Sequence, residues 1–419
     1  MKSFKKQFLF RRRFDAWALG VAAASMPVRI GLGPLILFVF SCLGIYISSA
    51  RHSVARLFCK KFYIFILLYA AWSLGLILYR HEPFHENRQI GYTLLVAIFA
   101  FGGPGMALIR DPLKAYVLGS RVGIILAAVV AVFLAMTAGG RIGVGGNQAV
   151  SAFLAGVTAV SASIPVRAAP RWLPNGPHWL VLGLAAILPS ETRAVIVVIP
   201  FFAVVEIILF MRRFNIRQQG AVYAALIAAL VALVVVGPVG TIISNRFTGM
   251  IEYYDTGNSA DWEDKISADI REAMWQSAVK IIAHHPIAGV GGYAKMADVR
   301  AEAGNKAYLL KGFLHVHNTI LDELLNDGII GLFFMMSGFL SIFIHLWRTA
   351  SSWAMRRALL CYAAICGSYG MLHNPLLHEM TISSTMFFLA VLNAAASRRI
   401  MAARRAGLET YMFGRHTGP

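Results

Sequence analysis

Long apolar runs alternate with short polar connections along most of this chain. We predict membrane spans at residues 15–28, 31–50, 62–79, 90–109, 113–137, 148–166, 177–189, 194–211, 220–240, 328–346, 358–372 and 380–397. An apolar helix of about 20 residues crosses a hydrocarbon core of roughly 30 Å. The pattern therefore predicts an all-α polytopic membrane protein of about twelve transmembrane helices, nine in residues 1–240 and three in residues 318–397.

Basic residues are concentrated in alternate connections. Clusters follow the even-numbered spans, at Arg51, Arg56, Lys60 and Lys61; Arg110 and Lys114; Arg167 and Arg171; Arg212, Arg213 and Arg217; Arg348, Arg356 and Arg357; and Arg398, Arg399, Arg404 and Arg405. Such clusters are typical of cytoplasmic loops. We therefore expect both termini in the cytoplasm, with residues 398–419 as a cytoplasmic tail, and an uncleaved anchor at the N-terminus because the second span follows almost at once.

One pair of spans is too short for two full crossings. Residues 178–211 cover 34 positions, which would be about 51 Å as a single helix. We read a short hairpin with its tip at residues 189–193, placed below the outer membrane surface. An arginine at this depth needs a partner, so we expect Arg193 to bind an anionic ligand; a pair with Glu191 is the alternative.

The polar segment 241–317 is the long connection, and the charge pattern places it outside the cytoplasm as a periplasmic loop domain. Residues 270–283 have apolar side chains at helical spacing and charged residues on the other face, which predicts an amphipathic helix on the membrane surface or over a cavity. Pro286 ends it, and residues 289–292 form a glycine-rich turn.

Composition agrees with a membrane protein: 58% of residues are hydrophobic and 14% are charged. The net charge of +19 lies in short clusters between apolar blocks, so we expect membrane orientation rather than nucleic-acid binding. The four cysteines lie in apolar runs or a basic connection, and they indicate neither a disulfide framework nor a zinc site.

Residues 81–85 match the zinc-protease pattern His-Glu-x-x-His. That site needs a continuous helix, which Pro83 disfavours. We therefore predict no metal here, and interpret these residues with Arg80 and Arg88 as an outer-surface patch for head groups or sugar phosphates.

Residues 315–331 combine two histidines, two asparagines and three carboxylates directly before an apolar run. Apolar positions at helical spacing predict a short amphipathic helix starting just after His317, with Thr319 and Asp322 as a capping box and an exposed polar face. The helix dipole would keep the His317 ring neutral, as a general base requires. Asn318 could orient a ring or a hydroxyl, and His315 is expected to point elsewhere in a supporting role.

Several of these segments together resemble the O-antigen ligase and polymerase superfamily. His317-Asn318, nine residues and then residues 328–331 resemble its His-Asn-x9-Gly-x-x-Gly signature. Residues 271–278, 285–291 and 190–193 resemble other motifs of the same superfamily, in the same order. The resemblance covers most of the chain and implies a glycosyltransferase C-like fold.

For ligases, the resemblance implies transfer of O-antigen from undecaprenyl diphosphate to a sugar hydroxyl of the lipid A core, on the periplasmic face of the bacterial inner membrane. It implies His317 as the base, with Arg193 and Arg271 gripping the diphosphate in place of a metal or other cofactor. Inversion is expected, although Asp322 leaves a covalent route open.

Two alternatives stay open: an O-antigen polymerase, or a lipid-linked sugar flippase or other transporter. A transporter would carry ionisable groups and broken helices near the membrane centre, whereas this chain concentrates polar groups at its outer face.

Overall fold

The computed structural model describes residues 15–50, 58–138, 142–212 and 262–405. The predicted span at 220–240 and residues 241–261 of the predicted loop lie outside these ranges. Helix α1 covers residues 15–25. The later helices are α2 (Leu32–Ala50), α3 (Lys60–Tyr79), α4 (Arg88–Phe99), α5 (Pro112–Ala138), α6 (Gln148–Ser163), α7 (His178–Ile187), α8 (Val198–Met211), α9 (Trp262–His284), α10 (Lys295–Glu302), α11 (Thr319–Thr349), α12 (Trp353–Leu372) and α13 (Glu379–Arg405).

Short helices extend this framework. Gly102–Met106 follows α4, Arg193–Ile196 precedes α8, and two 3-10 helices cover Leu188–Ser190 and Gly304–Leu310. The described residues form no strand, which agrees with the predicted all-α class.

Seven described helical segments are long and apolar enough to cross a membrane, so the chain is a polytopic membrane protein. These are Leu32–Ser49, Lys60–Tyr79, Arg88–Met106, Pro112–Thr137, Arg193–Met211, Thr319–Thr349 and Glu379–Ala402. Helices α6 and α7 are apolar but shorter. The total of twelve spans stays a prediction.

The bundle is organised around α13 and α6. Residues 380–397 of α13 are all buried, and α6 is buried along nearly its whole length. Small residues allow the helices around them to approach closely: a Cβ on Gly44 of α2 would lie 1.8 Å from the carbonyl oxygen of Phe101. Such contacts let membrane helices pack through their backbones.

The bundle has two chemically different ends. At one end, Arg398 donates to the carbonyl of Ala107 and Arg399 donates to the carbonyl of Thr349. Three of the predicted cytoplasmic connections therefore meet at this end, which we name the basic end. At the other end, Arg80 contacts Asn326 and Thr319 contacts His373; we name this the histidine end.

A partly buried ion pair joins α8 to α12 near the basic end. Arg357 donates through two nitrogens to the carboxylate of Glu206. This pairing makes Glu206 a satisfied structural carboxylate rather than part of an ion path.

Helix α11 is broken at Gly328, where φ is 66° and ψ is −166°. The amphipathic segment and the predicted span at 328–346 are therefore two halves of one element. Carbonyls freed at the break find partners elsewhere: that of Leu325 accepts from the N–H groups of Val290 and Gly291, and that of Asp327 from Trp72 Nε1 at 2.9 Å. Buried backbone groups need such partners.

Helix α9 builds a second, smaller core at the histidine end. The predicted amphipathic helix over 270–283 is confirmed, within a longer element that ends at His284, next to Pro286. Its apolar face packs against α10, the start of α11 and the chain between them. The buried members are Ala273, Met274, Ala278, Ile281, Met296, Val299, Leu310, Val316 and Leu325. This lobe therefore covers the first turns of α11.

Candidate functional site

His317 lies directly before α11, as the sequence predicts, but a different residue caps the helix. The side chain of Asn318 accepts hydrogen bonds from the N–H groups of Ile320 and Leu321, at 3.0 and 3.1 Å. The predicted capping box was wrong, because Thr319 is the first helical residue and its hydroxyl donates to the carbonyl of His373. Asn318 is therefore occupied with capping rather than free to orient a ring.

Three imidazoles meet at this helix start. The His315 and His317 ring centroids are 4.3 Å apart, and His373 meets His317 edge to face at 5.5 Å. The expectation that His315 points elsewhere was wrong, because the backbone at His317 has a φ of 51° and the two rings share one side of the turn. Such a conformation is rare for a residue with a side chain and is often found at functional sites.

The three rings are half-buried, and burial affects the charge of His315 and His317. Burial, followed by the positive charges available to His315, His373 and Arg271, lowers the pKa of His317 to about 3. Burial also lowers the pKa of His315, although Asp322 acts in the opposite direction. The neutral ring predicted at His317 therefore has a different main cause, desolvation rather than the helix dipole.

The Nδ1 atom of His317 is buried, and within the described part of the chain it has no hydrogen-bond partner. The ring is held by packing instead, with Phe313 edge-on at a centroid distance of 5.4 Å on another side. A neutral imidazole with an unused nitrogen can accept a proton from a substrate.

Asp322 is the centre of a buried polar network rather than part of an exposed face. Its carboxylate accepts from Lys295 Nζ at 3.0 Å, from the Val316 N–H at 3.3 Å and from Asn374 Nδ2 at 3.2 Å. Asp322 and Asn326 are both 0% exposed. The predicted exposed polar face was wrong, and the enclosed carboxylate gives no support to a covalent route through Asp322.

Arg271 lies on α9, half-buried, and is close enough for its charge to act on His317. One turn further along α9, Trp275 Nε1 donates to the carbonyl of Val316 at 2.8 Å. This hydrogen bond ties the arginine-bearing helix to the histidine-bearing chain.

Arg193 reaches the same end of the bundle from another direction. The hairpin turn lies at the predicted residues, with Glu191 in a left-handed conformation at φ 52°, and its depth in the membrane stays a prediction. The carbonyl of Ala194 accepts from the Ser368 hydroxyl at 2.6 Å, and Ser368 lies on α12 shortly before His373. Arg193 itself is exposed. The backbone thus brings Arg193, His317 and Arg271 to the histidine end.

The two other arginines of the predicted site, Arg80 and Arg88, have different environments. Arg80 is mostly buried and donates to the carbonyls of Asn326, Ala288 and Gly289, with Glu82 at 3.5 Å. The surface-patch interpretation is therefore wrong for Arg80, which clamps the break in α11. Arg88 is exposed beside Tyr92.

Residues 81–87 form turns rather than a helix. In the ranges that the structure covers, no group of three or more histidine, cysteine or acidic side chains is arranged to hold a metal ion.

Residues 178–336 match a family model described as O-antigen ligase. This segment is an O-antigen ligase family domain. The match contains Arg193, Arg271 and the signature that starts at His317, and it confirms the resemblance drawn from the motifs. The matched family is a glycosyltransferase-like family of O-antigen ligases and polymerases. No curated protein matches the sequence significantly.

His373 and Asn374 lie beyond the O-antigen ligase domain match, and sequence analysis missed both. A His-Asn pair directly after an apolar helix was the available signal, but histidines at membrane surfaces are commonly structural.

Proposed function

We propose that this protein is an O-antigen ligase that transfers O-antigen polysaccharide from undecaprenyl diphosphate to a sugar hydroxyl of the lipid A core. The observation that supports it most is the His317 ring: it is neutral, has a buried nitrogen with no hydrogen-bond partner among the described residues, and lies at the same end of the bundle as Arg193 and Arg271. All three residues fall inside the matched domain.

In the proposed step, the acceptor hydroxyl oxygen attacks the anomeric carbon of the donor sugar. The new glycosidic bond forms as the bond between that carbon and the diphosphate oxygen breaks, and the hydroxyl proton passes to His317. Direct displacement inverts the anomeric centre. Undecaprenyl diphosphate leaves with the bonding electron pair, and water or the leaving group later takes the proton from His317.

The low basicity of His317 in the free protein fits this order of events. Burial and, after it, the positive groups around the ring disfavour imidazolium, and a bound diphosphate would offset the positive groups with negative charge. The base would thus gain proton affinity when the donor is present. Guanidinium groups match the geometry of diphosphate oxygens and stay charged, so we propose that Arg193 and Arg271 replace a metal ion, and that EDTA does not inhibit transfer.

The same proposal places the site in the periplasm, in an inner-membrane protein with both termini cytoplasmic. Its support is the separation of the two ends: the basic connections meet at one end and the histidines at the other. We keep the predicted division into residues 1–240, the periplasmic domain 241–317, residues 318–397 and the tail 398–419 as part of this proposal.

A lipopolysaccharide gel of a deletion strain tests the assignment. Long O-antigen stranded on its carrier, with unmodified lipid A core, supports a ligase. Cores capped with single repeats indicate a polymerase, and accumulation of carrier-linked repeats in the cytoplasmic leaflet indicates a flippase; either result refutes the proposal.

Purified protein tests the base. His317→Ala should abolish transfer from carrier-linked O-antigen to lipid A core while the protein still inserts and purifies normally. His284→Gln, an exposed histidine at the end of α9, is the matched control and should retain full activity. Transfer by His317→Ala at the wild-type rate would exclude His317 as the base.

A further inference from the structure

His373 is held in place by three contacts. Its ring stacks on Tyr369 with a centroid distance of 4.9 Å, and its backbone N–H donates to the Tyr369 carbonyl at 2.7 Å. Its backbone carbonyl accepts from the Thr319 hydroxyl at 3.3 Å. The edge-to-face contact with His317 is therefore part of a fixed arrangement rather than of a loose surface turn.

One carboxylate links the two segments that carry these rings. Asp322 accepts from the N–H of Val316, the neighbour of His317, and from the side chain of Asn374, the neighbour of His373. Because Asp322 is fully buried and paired with Lys295, it fixes the two segments relative to each other. The fold therefore brings a second imidazole to the base from a distant part of the chain.

We propose that His373 is a positioning residue for His317: its ring fixes the orientation of the His317 ring, and its capacity for positive charge disfavours the protonated form of His317. This inference rests on the proposed function and extends the site beyond the matched domain, which ends at residue 336.

Orientation by His373 is needed because the His317 Nδ1 has no hydrogen bond to the described part of the chain. Packing against Phe313, His315 and His373 is then what limits rotation of the ring. A base must lie within hydrogen-bond distance of the proton that it removes, so loss of one packing partner should reduce turnover more than donor binding.

Charge is the second part of the inference. The groups that face His317 are His315 on the same turn, Arg271 on α9, and His373 with Tyr369 on the α12 side. Two neighbouring imidazoles resist double protonation, so their titrations are coupled. Burial makes the largest contribution to the low pKa of His317, and His373 adds to it.

Two substitutions separate these effects. His373→Gln keeps a polar side chain of similar reach that can still pack against His317 but cannot become charged, whereas His373→Ala removes the packing as well. His378 lies in the same turn and accepts the N–H of Met380, and His378→Asn can retain that bond because asparagine is a good helix cap. His378→Asn is therefore the matched control.

The His317 titration is measured by NMR on protein labelled at histidine Cε1 in nanodiscs, with the His317 signal assigned by comparison with His317→Gln. We expect His317 to titrate at higher pH in both His373 variants and at the wild-type pH in His378→Asn. In the transfer assay, kcat should fall about 10- to 100-fold in His373→Ala, with the donor KM unchanged and partial rescue in His373→Gln.

An unchanged His317 titration in His373→Gln would overturn the inference, and so would a wild-type kcat in His373→Ala. The titration does not require enzymatic activity. A wild-type protein that transfers no O-antigen would thus refute the proposed function, while the NMR result would still decide whether His373 acts on His317.

Discussion

Lys295 and Asp322 form an almost completely enclosed ion pair: the Lys295 Nζ lies 3.0 Å from the carboxylate, and the two side chains are 4% and 0% exposed. The pair joins α10 to α11, and its carboxylate also accepts from the N–H of Val316, which lies between His315 and His317. Removing one partner of a buried pair leaves an uncompensated charge, which commonly costs about 3–5 kcal/mol.

Lys295→Ala should therefore lower the thermal stability of the detergent-solubilised protein strongly, and transfer activity should fall with it. The exposed pair Lys280–Glu302, at 3.0 Å on the same lobe, provides the comparison. Lys280→Ala should change stability by about 1 kcal/mol or less, because solvent screens such pairs. Equal losses in the two variants would contradict the structural role of Asp322.

Gly328 should not tolerate a side chain. Its φ of 66° is unfavourable for other residues, and a Cβ would lie 2.1 Å from the carbonyl oxygen of Ile287. Gly328→Ala should greatly reduce the yield of folded protein, measured by fluorescence size-exclusion chromatography. Gly75→Ala is the control: it lies in α3 with open space around it and should be neutral or stabilising by up to about 1 kcal/mol.

Arg80 and Arg88 should respond differently to truncation, although the sequence suggested one shared patch. Arg80→Ala leaves the carbonyls of Asn326, Ala288 and Gly289 without their donor, at about 1–3 kcal/mol for each buried unpaired group. Arg80→Lys should rescue little, because an ammonium cannot reproduce the guanidinium fork.

Arg88→Ala removes an exposed side chain and should leave the melting temperature within error of the wild type. Parallel thermal melts of the three variants in detergent measure the difference. If Arg80→Ala and Arg88→Ala melt together, the clamp at the α11 break does not contribute to stability.

Local patterns predicted the elements around the site well. The amphipathic face of α9, its end before Pro286, the hairpin tip near Arg193 and the start of α11 after His317 all depend on neighbouring residues. Apolar periodicity, proline and capping residues encode such features directly.

The interactions that sequence analysis missed are non-local. Asp322 is buried because Lys295 and Asn374 reach it from 27 and 52 residues away, and Asn326 meets Gln89 across 237 residues. The spacing of apolar and polar residues does not encode these contacts. The polar face of α11 that carries Asp322 and Asn326 therefore had the same sequence pattern as a face exposed to solvent. The capping error had a local cause, since Asn318 and Thr319 are adjacent and both can cap a helix.

The two arginines proposed to hold the diphosphate should not tolerate lysine. Arg193→Lys and Arg271→Lys keep the charge but lose the paired donors that match two phosphate oxygens. We expect a raised KM for the carrier-linked donor and a lower kcat, with alanine variants more severely affected. Steady-state transfer assays at varied donor concentration measure both parameters, and Arg212→Lys, at the end of α8, is the control. Lysine variants with wild-type kinetics would exclude the guanidinium fork from donor binding.

Low pH should destabilise the protein through its buried imidazoles. Burial lowers the pKa of His315 and brings that of His317 to about 3, whereas an unfolded histidine titrates near pH 6.5. As the pH falls below about 6.5, these histidines become protonated in the unfolded chain but stay neutral in the folded chain, so the free energy of unfolding decreases towards pH 3.

Melting temperatures at pH 7.5 and pH 5 should therefore differ less in the double variant His315→Asn and His317→Asn than in the wild type. His284→Gln, which replaces an exposed histidine, should keep the full difference. An equal difference in all three proteins would show that the histidine cluster is not what makes the fold sensitive to acid.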